Sequence, residues 1–388
     1  MRFASLLLTA ALLPSLHAQT IQNVRASVVD AEQRHAALAQ SNDPLLQKAI
    51  DELPRCTTSP DVAAPPQPMV IPHHYLSGSN GPTNPAEAEA TRVYSDFERR
   101  ITAGMDRYVA TGSQAEAACA LAQMDAWAQA DALTNYDPKV SSQAWYQAEW
   151  TLSATGITLS VLTQDQRLNP ASLERVTQWL DHAAHVLLSH EKPDELGNNH
   201  HYWRALAAIS IGIPAGDDKL YAYGIEVYKQ AVGQLDSNGA FPLEMARHEN
   251  AIHYQGFALE PLLTIAAFAQ QQGVDLFSYS ANGHTIRDAV VFFGKAVADP
   301  SLMKPYTTDE QKLGFGAGDF AAFNYYVAKA GTEGLPPSIL EGIAQPTFSS
   351  RIGGSTTVLA HKVAAPLRVI AGAWRQPNRT ASPYCKFL

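Results

Sequence analysis

Residues 169–189 read NPASLERVTQWLDHAAHVLLS, and this stretch carries the signals that mark a helix. Asn169 stands where an N-cap belongs, and Pro170 falls in the first turn, where its missing N–H removes no intrahelical bond. The helix should run to about Ser189. Similar patterns recur on both sides of it. Helices are expected over 86–108, 115–133, 143–162, 203–213, 218–235, 249–271, 285–297 and 320–330. In the second of these, Leu121, Met124, Trp127 and Ala128 share one face. Asp236-Ser237-Asn238-Gly239 is a turn signal. One short strand is expected at 355–363. Successive helices joined by short polar turns argue for antiparallel pairs. The expected fold class is therefore all-α, an α/α toroid or a related helical array. No fixed-period repeat is evident, which argues against a standard solenoid.

The chain has 388 residues, 46% of them apolar and 17% charged, a composition that suits a large packed core. Its formal net charge is −9, which argues against a nucleic-acid binder, since that class needs a basic surface. Residues 1–18 read as a signal peptide: Arg2 precedes an apolar run from Leu6 to Leu13, and Leu16-His17-Ala18 is a cleavage site. That run is too short for a membrane span, and no later segment approaches one. An exported, periplasmic or secreted protein is expected. Residues 19–55 read as a loosely packed N-terminal extension, and 56–388 as the main domain. The Pro-, Gly- and Ser-rich stretch 57–85 is a long loop of the kind that serves as a lid. In an oxidising compartment, Cys56 and Cys119 are the expected disulfide, with Cys385 left over, although spacing alone leaves connectivity open.

Two segments concentrate chemistry. The first is Asn198-Asn199-His200-His201-Tyr202-Trp203-Arg204 at a loop-to-helix junction. The second runs from Arg247 to Tyr254, a spacing of about two turns that would put both residues on one face of a continuous helix. Taken singly, each has a plain structural reading: a capping Asn, a solvated Arg, core aromatics. Together they hold what proton abstraction beside a carboxylate requires. Asn, His and Arg donors can neutralise the charge that builds on the carboxyl group. A Tyr or His can take the proton and return one to the leaving oxygen. Metal chemistry is not indicated: His200 and His201 diverge, and His182 and His185 share a helix face without carboxylates that complete a zinc set. No cofactor motif is present.

These residues resemble the helical alginate lyase family. The matching blocks are Asn199-His200-x-Tyr202-Trp203; Phe241-Pro242-x-Glu244 through Arg247 to Tyr254 and on to Gln270; Cys119-Ala120-Leu121 through Leu133; and, more weakly, Arg351-Ile352-Gly353-Gly354. The resemblance covers roughly 56–355 and implies an incomplete α/α toroid with a deep groove. It implies that Asn199, His200 and Arg247 neutralise a uronate carboxylate and that Tyr254 is base and acid for mannuronate-type units. His200 would serve as base for the opposite C5 configuration. It also implies that His74 and Tyr75 lie in a lid, and that Trp127, Tyr202 and Trp203 line the groove. The reaction implied is β-elimination on a β-1,4-linked polyuronate, without a metal, by a monomer. His74 stands where relatives carry Lys, and Arg247 lacks their basic flanks, so polyglucuronate is a rival substrate. The other readings are a glycoside hydrolase, which needs a pair of carboxylates, and a non-catalytic polysaccharide-binding protein.

Overall fold

The computed structural model describes residues 19–56, 62–78, 81–192 and 197–363. The signal-peptide reading of 1–18 and the leftover Cys385 lie outside these residues. Two short helices come first, α1 (Ala31–Ala39) and α2 (Pro44–Asp51). Eight longer helices carry the fold: α3 (Pro85–Thr111), α4 (Gln114–Gln129), α5 (Ser142–Leu162), α6 (Pro170–Ser189), α7 (Asn199–Ala215), α8 (Asp218–Gly233), α10 (Ala251–Gln271) and α11 (Ile286–Ala298). A single turn, α9 (Pro242–Met245), precedes α10, and α12 (Phe323–Ala330), α13 (Pro337–Gly342) and α14 (Thr356–Ala360) follow α11. The named strands are a two-residue antiparallel pair, Ser280–Ala281 with His284–Thr285.

The helix starts are written in the residues. Asn169 accepts hydrogen bonds from the Ala171 and Ser172 N–H groups, Asn84 from Ala86, and Asp217 from Lys219 and Leu220. Each satisfies N–H groups that a helix cannot bond internally. The layering follows from burial. α5 is buried on nearly every side and α10 on most, as inner helices must be, whereas α6 and α8 bury one face. α3, α5, α7 and α10 pack side by side as an inner layer, and α4, α6, α8 and α11 back them, each outer helix packed on the inner helix before it. The result is an incomplete α/α toroid. Gly156 lets α5 and α7 approach closely: a Cβ there would lie 2.4 Å from Ser210 Oγ. The 3₁₀ turn Ser350–Ile352 reaches back to touch α3, α5 and α10, and so carries Arg351 to the centre.

Three expectations need correction. Residues 355–363 do not form a strand; Ser355 caps the short helix α14, and Thr356 and Thr357 turn inward to hydrogen-bond Thr347. β-branched residues favour strands only where a partner strand exists, and here buried hydroxyl pairing decides instead. The segment 19–55 is not loosely packed: Val28, Leu38, Leu46 and Ala49 are buried in the main core. Arg247 and Tyr254 do not share a continuous helix. The chain breaks at His248, with φ +55°, into a 3₁₀ turn before α10 begins.

The loop ahead of α3 is pinned rather than loose. Trp127 donates its indole N–H to Val62 O at 2.8 Å, and Ser141 Oγ bonds both the N–H and the C=O of Ile71. Beyond that anchor, residues 74–78 and 81–84 lie against one another, with Asn84 N–H on His74 O and Leu76 N–H on Pro82 O. Cys56 and Cys119 are joined, fastening the start of this loop to α4 across a separation of 63 residues. Replacing both by Ser should cost about 4 kcal/mol by loop-closure entropy. Denaturant unfolding of the two proteins measures it, and an unchanged midpoint would show that the bridge does not constrain the unfolded chain.

Candidate active site

The first segment lies at the start of α7. Asn198 caps that helix by accepting the His200 N–H at 3.1 Å, which fixes where Asn199 and His200 leave the backbone. The second segment is reached through Glu244, on the single turn α9. Glu244 is fully buried, and Asn199 answers it with its backbone N–H at 2.6 Å and its amide Nδ2 at 3.1 and 3.0 Å. Arg247 Nε stands 3.8 Å from the other carboxylate oxygen. Burial raises the Glu244 carboxyl above its usual range, and Arg247 and Asn199 oppose the rise. The two segments therefore meet around one carboxylate.

From Glu244 the site extends to the tyrosine. The Arg247 guanidinium lies over the Tyr254 ring, 4.6 Å from its centroid. Tyr254 Oη is 3.2 Å from Tyr75 Oη, so the loop before α3 closes onto the expected base. His74 stands beside Tyr75, ring to ring at 4.6 Å, and its Nδ1 is 3.3 Å from Glu87. Tyr254 is held above the usual phenol range, first by burial and then by its bond to Tyr75; Arg247 pulls it down only in part. In the free protein Tyr254 is a neutral phenol at neutral pH.

His200 packs face to face on Tyr146 at 3.7 Å, and its Nδ1 is 2.5 Å from Glu149, a carboxylate with no exposed surface. Arg351 caps the same region, lying 4.0 Å over the Trp150 ring. Its charge acts on Glu98, Glu149 and Glu260. Burial pushes Glu260 up to about 8 despite that cation.

Of the expected residues, His200, Arg247, Tyr254, His74 and Tyr75 come together. Asn199 does so differently: it is fully buried and its amide N–H groups are committed to Glu244, so its carboxylate-neutralising role is not set up in this conformation. A buried carboxylate demands donors, and Asn199 is the nearest. Trp127, Tyr202 and Trp203 are corrected from groove-lining to core. Trp127 stacks on Phe97 at 3.7 Å, Tyr202 donates its hydroxyl to Gly197 O and Gln234, and Trp203 packs on Phe257; all three are at most 1% exposed. The aromatics at the site are instead Tyr75, Tyr146 and Trp150. The i, i+3, i+4 spacing of Tyr146, Glu149 and Trp150 would have flagged them as one helix face.

The described residues that could hold a metal ion are Asp181, His185 and Asp217. Asp217 already caps α8 with one oxygen and binds His185 at 2.8 Å with the other, so the cluster reads as a capped ion pair. Asp181, one turn before His185 on α6, and Asp217 from the start of α8 supply the carboxylates beside His185.

Comparison with known proteins gives a consistent answer. The family model for alginate lyase matches residues 28–303. A polysaccharide lyase of Stenotrophomonas maltophilia is 28% identical over 72% of this chain and 83% of its own length. An alginate lyase of Pseudomonas syringae is 30% identical over 60% of this chain, and the match spans 62% of that enzyme. Alginate lyase A1-III of Sphingomonas species A1 superposes with a TM-score of 0.82 at 38% identity, covering 88% of this chain and 97% of that one. Two variants of that enzyme, one with Tyr changed to Phe and one with His changed to Ala, have been solved with a tetrasaccharide. The altered Tyr and His are separated in sequence as His200 and Tyr254 are here. By its sequence and its fold the chain belongs to the alginate lyase family and is a polysaccharide lyase.

Proposed function

We propose that this lyase cuts β-1,4-linked polyuronate of the alginate type, with polymannuronate its preferred form, and that Tyr254 carries the proton transfers. The observation that carries the reading is the placing of Arg247 over Tyr254 and beside Glu244, within one cluster with His200. Arg247 and His200 meet the uronate carboxylate, which gains charge as the C5 proton leaves. Tyr254, as phenolate, takes that proton. The C5–H electron pair becomes the C4=C5 double bond, the C4–O4 bond breaks, and Tyr254 returns the proton to O4. One group suffices because in a mannuronate unit the proton and the leaving oxygen lie on the same side of the ring. Tyr75 donates its hydroxyl to the phenolate while it exists. No step calls on a metal, since the cationic and donor groups supply the neutralisation.

Export to the periplasm or beyond is part of the proposal. The apolar run near the start and the Cys56–Cys119 disulfide support it. A monomer is supported by the scatter of exposed large apolar side chains, such as Val70, Val140 and Leu302. Among the described residues no helix is long and apolar enough to cross a membrane.

The test is ultraviolet absorbance from the unsaturated ends released from polymannuronate and, separately, polyglucuronate, with chelator present. A rise with polymannuronate that is faster than with polyglucuronate is expected; the reverse order would move the substrate assignment. Tyr254→Phe should lower kcat by on the order of 10²–10⁴-fold, the usual range for removing a general acid–base group, with KM little changed. A variant that keeps its rate would remove Tyr254 from the chemistry. The pH dependence has a definite sign. Because Tyr254 is held above the usual phenol range, the phenolate is scarce at neutral pH and grows about tenfold per pH unit. The rate of the wild-type enzyme should therefore climb from about pH 6 to about pH 8. A flat or falling profile over that interval would contradict a phenolate base.

A further inference from the structure

His200 is backed by an ionic network that the elimination itself does not use. Its Nδ1 meets Glu149 Oε1 at 2.5 Å. The other Glu149 oxygen accepts from Arg204 Nη1 at 3.3 Å, and Arg204 Nε donates in turn to Glu191. Glu191 also accepts the Tyr223 hydroxyl, and His201 Nε2 lies 4.0 Å from it. Glu149 and Arg204 have no exposed surface, and Arg204 is further held over the Trp145 ring at 4.2 Å. The network thus runs from the groove, between α5 and α7, to the end of α6 and the side of α8.

Among the described residues, Glu149 and Glu191 both pair with one guanidinium, that of Arg204. An unbalanced buried negative charge is costly, and the nearest remaining group able to take a proton beside Glu149 is His200. The direction in which burial drives Glu149, well above the usual carboxylate range, agrees with a proton shared across the 2.5 Å contact. With that extra proton in the pair, on Nδ1 or on the carboxylate, Nε2 keeps its own hydrogen; a neutral ring donating Nδ1–H to an ionised Glu149 would instead leave Nε2 bare.

We propose that Glu149 is a positioning residue that keeps a proton on His200 Nε2, so that the ring neutralises the uronate carboxylate and does not act as a base. The proposal rests on the polyuronate reading above and gives one member of the site a defined protonation state. A ring protonated at Nε2, with its Nδ1 engaged by Glu149, can donate to a carboxylate but offers no free lone pair with which to abstract a proton. Proton abstraction then falls to Tyr254 alone, and units that need a base on the opposite face of the sugar are disfavoured. This narrows the double role that the family resemblance allowed for His200.

Among the described residues, Tyr146 and Glu149 from α5 contact His200, Glu244 from α9 lies in its field, and Arg204, Arg247 and Arg351 act on those two carboxylates. Glu149 meets an imidazole nitrogen directly, at 2.5 Å, so its change should be felt first at that ring.

The test is long-range ¹H–¹⁵N correlation on the full-length protein labelled at histidine nitrogen, with the His200 signals assigned by their loss in His200→Ala. Wild-type Nε2 should stay protonated to at least about pH 8, beyond the ordinary histidine midpoint of about 6.5. In Glu149→Gln it should lose its proton near or below that midpoint. The rate of Glu149→Gln relative to wild type on polymannuronate should fall at least tenfold between about pH 5.5 and about pH 8. A merely structural role for Glu149 would lower the rate by one factor at every pH and would overturn the proposal. Should Glu149→Gln fail to fold, the wild-type spectrum decides by itself: an unprotonated Nε2 at neutral pH sinks the idea. The spectrum needs no turnover, so an error in the substrate reading and an error in this inference would be told apart.

Discussion

A carboxylate removed from water must be answered by donors, and Glu244 is answered by the two segments on which catalysis depends. Asn199 gives it three N–H contacts and Arg247 a charge, so one buried anion ties the first turn of α7 to the turn before α10. Breaking such a pair leaves an uncompensated charge and typically costs several kcal/mol. The expense serves position: Arg247 cannot leave Tyr254 without abandoning Glu244. Glu149 repeats the device on the other side, holding His200 by its Nδ1 and answered from behind by Arg204.

The toroid makes these two buried anions tolerable. Inner helices α5 and α7 come close at Gly156 and Ser210, and the side chains between them are held in rotamers by packing rather than by water. Loops close the assembly from both ends of the chain. The loop before α3 delivers Tyr75 to Tyr254, and the turn at 350–352 delivers Arg351 to Trp150. The chain carries a net charge of −9, yet its site holds Arg247 and Arg351. Attraction for an anionic polymer is therefore local, and salt should weaken it.

What the sequence discloses and what it withholds have separate physical causes. Helix α6 is legible because Asn169 and Pro170 announce its start, and those signals act within a few residues. The same was true of Asp43-Pro44 ahead of α2, which makes 19–55 structured despite its plain composition. The run at 355–360 misleads because its β-branched residues respond to a tertiary partner, Thr347, distant from any strand. At the site, the residue types of His200, Arg247 and Tyr254 spell out their chemistry. Glu149 and Glu244 do not, because a glutamate's importance lies in what surrounds it. Tyr202 and Trp203 show the converse error: an aromatic next to a functional residue on a helix points elsewhere by the helical period, and here into the core.

The most direct test of the account is a crystal structure of the Tyr254→Phe protein with a mannuronate tetrasaccharide. The account predicts one uronate carboxylate bonded by Arg247 and His200, with C5 of that unit beside the ring edge of residue 254. A tetrasaccharide whose carboxylates all avoid Arg247 and His200, or whose C5 lies away from residue 254, would contradict it.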